Sequence, residues 1–165
     1  MDSPELEPQA FTELGQRISE GTAVVGIIGL GYVGLPLGLA FSAAGYRILG
    51  FDVDGDKVSR LNRGECYISH LESAYAEREL ASGRWQATTD FGRLAEADTI
   101  LICVPTPLTP QRQPDMRFVE TATREIRDRL RHGQLVVLES TTYPGTTDEL
   151  IREILEESGL VCGDD

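Results

Sequence analysis

The chain has no hydrophobic run long enough to span a bilayer: its most apolar stretch, residues 23–30, is short and rich in glycine. No basic segment opens the N-terminus, so the start MDSPELEP does not read as a secretory leader. Cationic side chains are scarce, 15 against 27 acidic ones, and the formal net charge of −12 opposes nonspecific binding to nucleic acid or to an anionic membrane. The three cysteines, Cys66, Cys103 and Cys162, stand alone without CxxC spacing, which speaks against a metal site or a disulfide framework. Cys103 lies inside the strand-like TILICV and reads as a small buried hydrophobe. The two histidines carry no catalytic assignment: His70 reads as a polar loop group and His132 as a cation at a helix C-terminus. Neither internal repeats nor low-complexity segments are seen. With 165 residues, 41% of them hydrophobic, the chain has the size and composition of one soluble domain, and the cytoplasm is the default compartment.

What is present is a glycine pattern in a specific setting. The apolar AVVGII runs directly into Gly29-Leu30-Gly31-Tyr32-Val33-Gly34, which opens a helix-like LPLGLAFSAA. Gly29 permits the tight turn out of the first strand, Gly31 lets backbone amides approach a pyrophosphate, and Gly34 allows close packing of helix on strand. The phosphates then lie at the positive end of a helix. Pro36 fits only near that helix's start, where amides still lack partners. The next apolar segment, YRILGFD, ends in Asp52, about 20 residues beyond the glycines, where a carboxylate accepts the adenine-ribose hydroxyls. An acid there, with no arginine following immediately, favours NAD over its 2′-phosphorylated counterpart. A methyltransferase also sets an acid after its second strand, but its glycine loop is less regular.

Residues 1–9 read as a disordered acidic lead, and AFTELGQRISEG as a short amphipathic helix, so that 1–22 precede the domain proper at 23–165. Strands are expected at 23–29, 47–52, 84–88, 98–104 and 134–140. Helices are expected at 33–45, 54–63, 71–82, 90–96, 115–131 and 145–158, with a loop through Tyr67 and His70 and a proline-rich loop at 105–114. Such alternation implies an α/β fold, a doubly wound parallel sheet of Rossmann-like type. Two loops follow the fourth and fifth strands, whose carboxyl ends border the crevice of the glycine turn. In Val104-Pro105-Thr106-Pro107-Leu108 the prolines stiffen the backbone around the Thr106 hydroxyl. The stretch from Glu139 to Thr147 is dense in hydroxyls. Its local reading is helix capping by Thr142 or Thr146, with Asp148 and Glu149 answering the dipole. Set on successive strands beside a dinucleotide crevice, the two loops point to ligand contact.

The strings VVGIIGLGYVGLPLGLAF, GFDVDGDKVSRLNRG, ILICVPTPL and VVLESTTYPGTTDEL resemble, in this order, the nucleotide-sugar 6-dehydrogenases that act on UDP-glucose, GDP-mannose and UDP-N-acetylhexosamines. The likeness covers nearly all of residues 23–165. ESTTYPGTT with VPTPL is closer to the UDP-N-acetylglucosamine or UDP-N-acetylmannosamine branch than to the UDP-glucose branch, where the segment reads nearer STVPVGT. The resemblance implies that the backbone at Tyr32 and Val33 holds the pyrophosphate, that Asp52 takes the ribose, and that Lys57 neighbours ribose and phosphate. It implies that Thr106 lines the cofactor pocket and that Thr141 approaches the nicotinamide end, in a supporting catalytic role near an ordered water. Lys57 also reads as a solvated helix lysine, and Glu139 has no defined role.

The implied reaction oxidises a sugar C6 alcohol to a carboxylate with two NAD, the intermediate being held on an active-site cysteine, in a cytoplasmic enzyme of polysaccharide biosynthesis. The substrate-binding segment and the nucleophilic cysteine of such enzymes come later than Asp165. The expectation is therefore an N-terminal NAD-binding part that stops before its sixth strand and is inactive alone. Other NAD-dependent dehydrogenases, of the 6-phosphogluconate or hydroxyisobutyrate type, and a non-enzymatic nucleotide-sensing module are the alternatives. The apolar β-branched strand at 134–140 lacks the proline or lysine that protects an edge, so either homo-oligomerisation through it or partial cover by 159–165 is expected.

Overall fold

The computed structural model describes residues 9–69 and 71–163; the lead at 1–8 and His70 lie outside the described residues. Five strands form one parallel sheet: β1 (Val24–Ile28), β2 (Arg47–Phe51), β3 (Trp85–Thr88), β4 (Thr99–Ile102) and β5 (Leu135–Leu138), in the order β3-β2-β1-β4-β5. The register is set from β1, where Gly26 pairs with Leu49 of β2 on one side and with Ile100 of β4 on the other. The order reverses between β1 and β4, and that reversal opens a crevice at the carboxyl ends of the strands.

Alternate strand residues feed two separate cores, as a sheet covered on both faces requires. Val25 and Ile27 of β1, Ile48 of β2 and Leu101 of β4 face α2 (Gly34–Ala43), α3 (Gly55–Asn62) and α4 (Ser73–Leu80) through Leu35, Leu39, Leu61 and Leu80. Ile28, Phe51, Ile100 and Ile102 face α5 (Arg117–Arg127) and α6 (Arg152–Glu156) through Val119, Ile126 and Leu155. The expected alternation of strands and helices is thus observed, and α1 (Gln9–Ser19) precedes it.

Several local expectations are corrected. The expected helix at 115–131 ends at Arg127, so His132 stands in the turn before β5 rather than at a helix end. The cause is tertiary: Arg131 donates to the carbonyls of Ala95 and Ala97 and to Asp98, which draws the chain down to the foot of the sheet. The segment expected as a helix at 145–158 begins as a π-helix, Thr146–Ile151, before α6. Thr146 caps nothing; it is buried and donates to the Tyr143 carbonyl at 2.7 Å, closing the turn. Residues 91–96 form a 3-10 helix. Finally, 159–163 do not pair with β5 as a strand, and the Cys162 amide turns back to Glu156 Oε1 at 3.2 Å. Among the described residues β5 is bonded on one side only, to β4.

Asp98 fastens the foot of the sheet. Its buried carboxylate accepts from the Val24 amide at 2.9 Å, from Arg17 of α1 at 2.7 Å and from Arg131 at 2.8 Å. Burial pushes its pKa up, but the Val24 and Arg131 hydrogen bonds and the two positive charges outweigh it and hold the acid below its usual value. A carboxyl lowered on folding stabilises the fold above its unfolded pKa, about 4, and that contribution is lost as pH falls through the folded value. Asp98→Asn is expected to remove about 1–3 kcal/mol at pH 7 and to flatten the decline of stability below about pH 4; urea unfolding across pH checks both.

Candidate dinucleotide site

The cleft at the switch point is built on the turn between β1 and α2. Gly29 has φ of 93°, open only to glycine at low cost, and a Cβ on it would come within 2.6 Å of the Cys103 carbonyl oxygen. A Cβ on Gly34 would run into the carbonyl of Gly29. Both glycines are thus required by the fold itself. Gly31 differs: a Cβ there would meet nothing within 4 Å, and its φ is not in the left-handed range. The protein leaves this space empty, and Gly31 lines the cleft together with Tyr32 and Val33. No side chain caps the N-terminus of α2.

Asp52 stands at the end of β2, buried, with both carboxylate oxygens in use. Oδ2 accepts from the Leu30 amide and Oδ1 from the Asp54 amide, each at 2.9 Å. Lys57, the only lysine in the chain, places Nζ 3.8 Å from Asp52 Oδ2. It is set there by α3, which is capped by Asp54, whose side chain accepts from the amides of Asp56 and Lys57. Each Asp52 oxygen keeps a further lone pair open to another donor.

Tyr67 was not singled out as a site residue by the sequence. Its hydroxyl donates to the Leu30 carbonyl, and its ring lines the cleft beneath the Arg60 guanidinium, 5.4 Å away. Burial, and then the negative charge of Asp52, raise its pKa, so the phenol stays a donor. Leu30 is therefore held from both sides, its amide by Asp52 and its carbonyl by Tyr67. The signal available in the sequence was only a tyrosine in a loop, because the pairing spans 37 residues.

At the β4–β5 end, Thr106 and Thr141 meet: Thr106 Oγ1 donates to the Thr141 carbonyl at 2.8 Å. Ser140 Oγ adds a second strap, to the carbonyl of Val104 at 2.8 Å. Val104 and Pro105 line the cleft, whereas Thr106 and Thr141 lie beyond its wall. Cys103 forms part of the floor, and burial, with Glu139 near, pushes its thiol up to about 12, as befits a packing group. The cleft encloses about 1070 Å³. The structure so brings Gly29, Gly31, Tyr32, Val33, Asp52 and Lys57 to one cavity, with Gly34 buttressing it.

A family model described as the UDP-glucose/GDP-mannose dehydrogenase family, NAD binding domain, matches residues 23–161. The chain belongs to this family. Its cofactor is NAD, and the empty space over Gly31 fits a bound pyrophosphate. A UDP-N-acetyl-D-mannosamine dehydrogenase of Escherichia coli K12 is 38% identical over 136 residues, covering 81% of this chain and 31% of that protein. One of Pyrococcus horikoshii is 33% identical over 142 residues, covering 86% of this chain and 34% of its own length. Among solved structures, an NDP-N-acetyl-D-galactosaminuronic acid dehydrogenase from Methanosarcina mazei superposes with a TM-score of 0.81 at 33% identity, over 92% of this chain and 35% of that one. The chain thus spans about a third of the length of the relatives it matches. Among the described residues no helix is long and apolar enough to cross a membrane, and no cluster of metal-ligating side chains is present.

Proposed function

We propose that the chain is the cofactor-holding part of an NAD-dependent dehydrogenase that oxidises the C6 alcohol of a UDP-N-acetylhexosamine, with UDP-N-acetylmannosamine favoured. The observation that carries the sugar class is the match to UDP-N-acetyl-D-mannosamine dehydrogenases over four-fifths of the chain or more. Solved structures of a GDP-mannose dehydrogenase and a UDP-glucose dehydrogenase are alike at 33% and 35% identity, so the fold itself is shared across sugars. The segment ESTTYPGTT supports the N-acetylhexosamine branch.

In this reading the amides from Gly31 to Val33 receive the pyrophosphate, Asp52 takes the ribose hydroxyls, and Lys57 offsets the charge beside them. The Thr106–Thr141 pair frames the nicotinamide end, with Thr141 in a supporting role toward the reacting atoms. NAD, when bound, supplies the hydride acceptor. Orienting the alcohol, drawing off its proton and holding an intermediate fall to a substrate-binding part such as the relatives carry in the rest of their length. The free cysteines suit the cytoplasm. The nucleotide sugar is the small-molecule partner, and self-association through the one-sided β5 edge belongs to the same reading.

The test is a turnover assay. The chain alone is expected to release no NADH above background from NAD and UDP-N-acetylmannosamine, UDP-N-acetylglucosamine or UDP-glucose. A protein carrying this chain followed by a substrate-binding part is expected to prefer UDP-N-acetylmannosamine. Turnover by the chain with Cys66, Cys103 and Cys162 all replaced would overturn the division of labour, and a preference for UDP-glucose would overturn the branch.

A further inference from the structure

The glycine turn is tied down on both sides of one peptide. Before it, the Gly29 amide donates to the Phe51 carbonyl at 2.8 Å and the Leu30 amide to Asp52 Oδ2 at 2.9 Å; after it, the Gly31 carbonyl accepts from the Leu35 amide at 3.1 Å. The Leu30 side chain is fully buried and packs over Gly50 of β2, where an added Cβ would come within 2.9 Å of it. What these ties leave free is the peptide between Leu30 and Gly31.

That peptide can stand either way up. It is planar, so its carbonyl and its amide point in opposite directions, and Gly31, with no Cβ, accepts the rotation that exchanges them. Among the described residues its carbonyl accepts from no backbone amide, and the Gly31 amide has no acceptor. One side chain decides the orientation: the Tyr67 hydroxyl donates to the Leu30 carbonyl. The donor is itself held, since the Tyr67 ring lies 5.4 Å from the Arg60 guanidinium, within the range of a cation–π contact.

We propose that Tyr67 is a positioning residue for the pyrophosphate: by holding the Leu30 carbonyl it keeps the Gly31 amide turned the opposite way, as a donor free for a phosphate oxygen. Tyr67 acts through Leu30, and the assignment rests on the cleft being the NAD site. A tyrosine that only braced the fold would add stability and nothing else. A positioning tyrosine changes affinity for those ligands that reach the turn.

The test compares the 165-residue chain with Tyr67→Phe, which keeps the ring over which Arg60 lies and removes only the hydroxyl. Both are titrated calorimetrically with ADP, which carries a pyrophosphate, and by displacement with adenosine, which carries none. Loss of one hydrogen bond is expected to weaken ADP about three- to tenfold and to leave adenosine within about twofold, so that the ratio of the two affinities falls. In the NMR spectrum of the ligand-free chain the Gly31 amide is expected as one sharp resonance, doubled or broadened by exchange in Tyr67→Phe. An unchanged affinity ratio in Tyr67→Phe, even beside a lowered melting temperature, overturns the assignment while the dinucleotide site stands. Two Gly31 resonances in the unmodified chain overturn it as well, whether or not the variant folds. Failure of ADP to bind the unmodified chain removes the site itself, and this assignment with it.

Discussion

Gly31→Ala is expected to abolish most NAD binding while leaving the fold intact. The added methyl group meets nothing within 4 Å in the protein, and the backbone at 31 is not left-handed, so neither a clash nor strain arises on folding. Losing a glycine also restricts the unfolded chain, so stability should stay within about 1 kcal/mol of the starting value, with a small gain as the natural outcome. The space the methyl fills is the one assigned to the pyrophosphate. Forcing a group into a close contact costs about 1–3 kcal/mol, which is about five- to 150-fold in Kd. Gly29→Ala and Gly34→Ala should differ in kind, because there the obstacle is the protein's own backbone and the fold fails first. Paired thermal melts and calorimetry separate the two cases.

Asp52→Ala should reduce binding and stability together. Removing the carboxylate leaves the buried Leu30 amide without its acceptor and frees the Asp54 amide at the head of the β2–α3 loop. A buried donor left unpaired costs about 1–3 kcal/mol, and loss of the charge-assisted bonds to ribose removes a comparable amount of binding energy, about 1–3 kcal/mol. Lys57 would lose its counter-charge at the same step. A variant with unchanged unfolding free energy but weakened NAD binding would show that Asp52 serves the ligand alone, contrary to the hydrogen bonds that tie it to the glycine turn.

These two residues also show how far the sequence could be read. The strand–glycine turn–helix–strand succession is local and periodic, and β1, α2 and β2 stand where it put them because each follows from backbone geometry within one βαβ unit. The doubly wound sheet was legible for the same reason: each strand is a short apolar run between amphipathic helices. What sequence could not supply were pairings across long separations. Tyr67 reaches Leu30, and Arg131 reaches Asp98, only after the sheet assembles. The same distant contact ended α5 early and moved His132 off a helix end. In the hydroxyl-rich loop, composition suggested caps, yet Thr146 and Ser140 spend their hydroxyls on carbonyls of the turn and of the neighbouring strand end. Thr106 and Thr141 came together as their strand positions implied, but as partners of each other at the end of the cleft.

The central claim is that the cleft over the glycine turn holds NAD with its adenine ribose on Asp52. Its most direct test is a calorimetric titration of the unmodified chain with NADH and, separately, with NADPH at the same ionic strength. A 2′-phosphate would have to settle against the Asp52 carboxylate, with Asp54 two residues on, so NADH is expected to bind tighter by about tenfold or more. NADPH binding that equals or exceeds that of NADH would contradict the assignment.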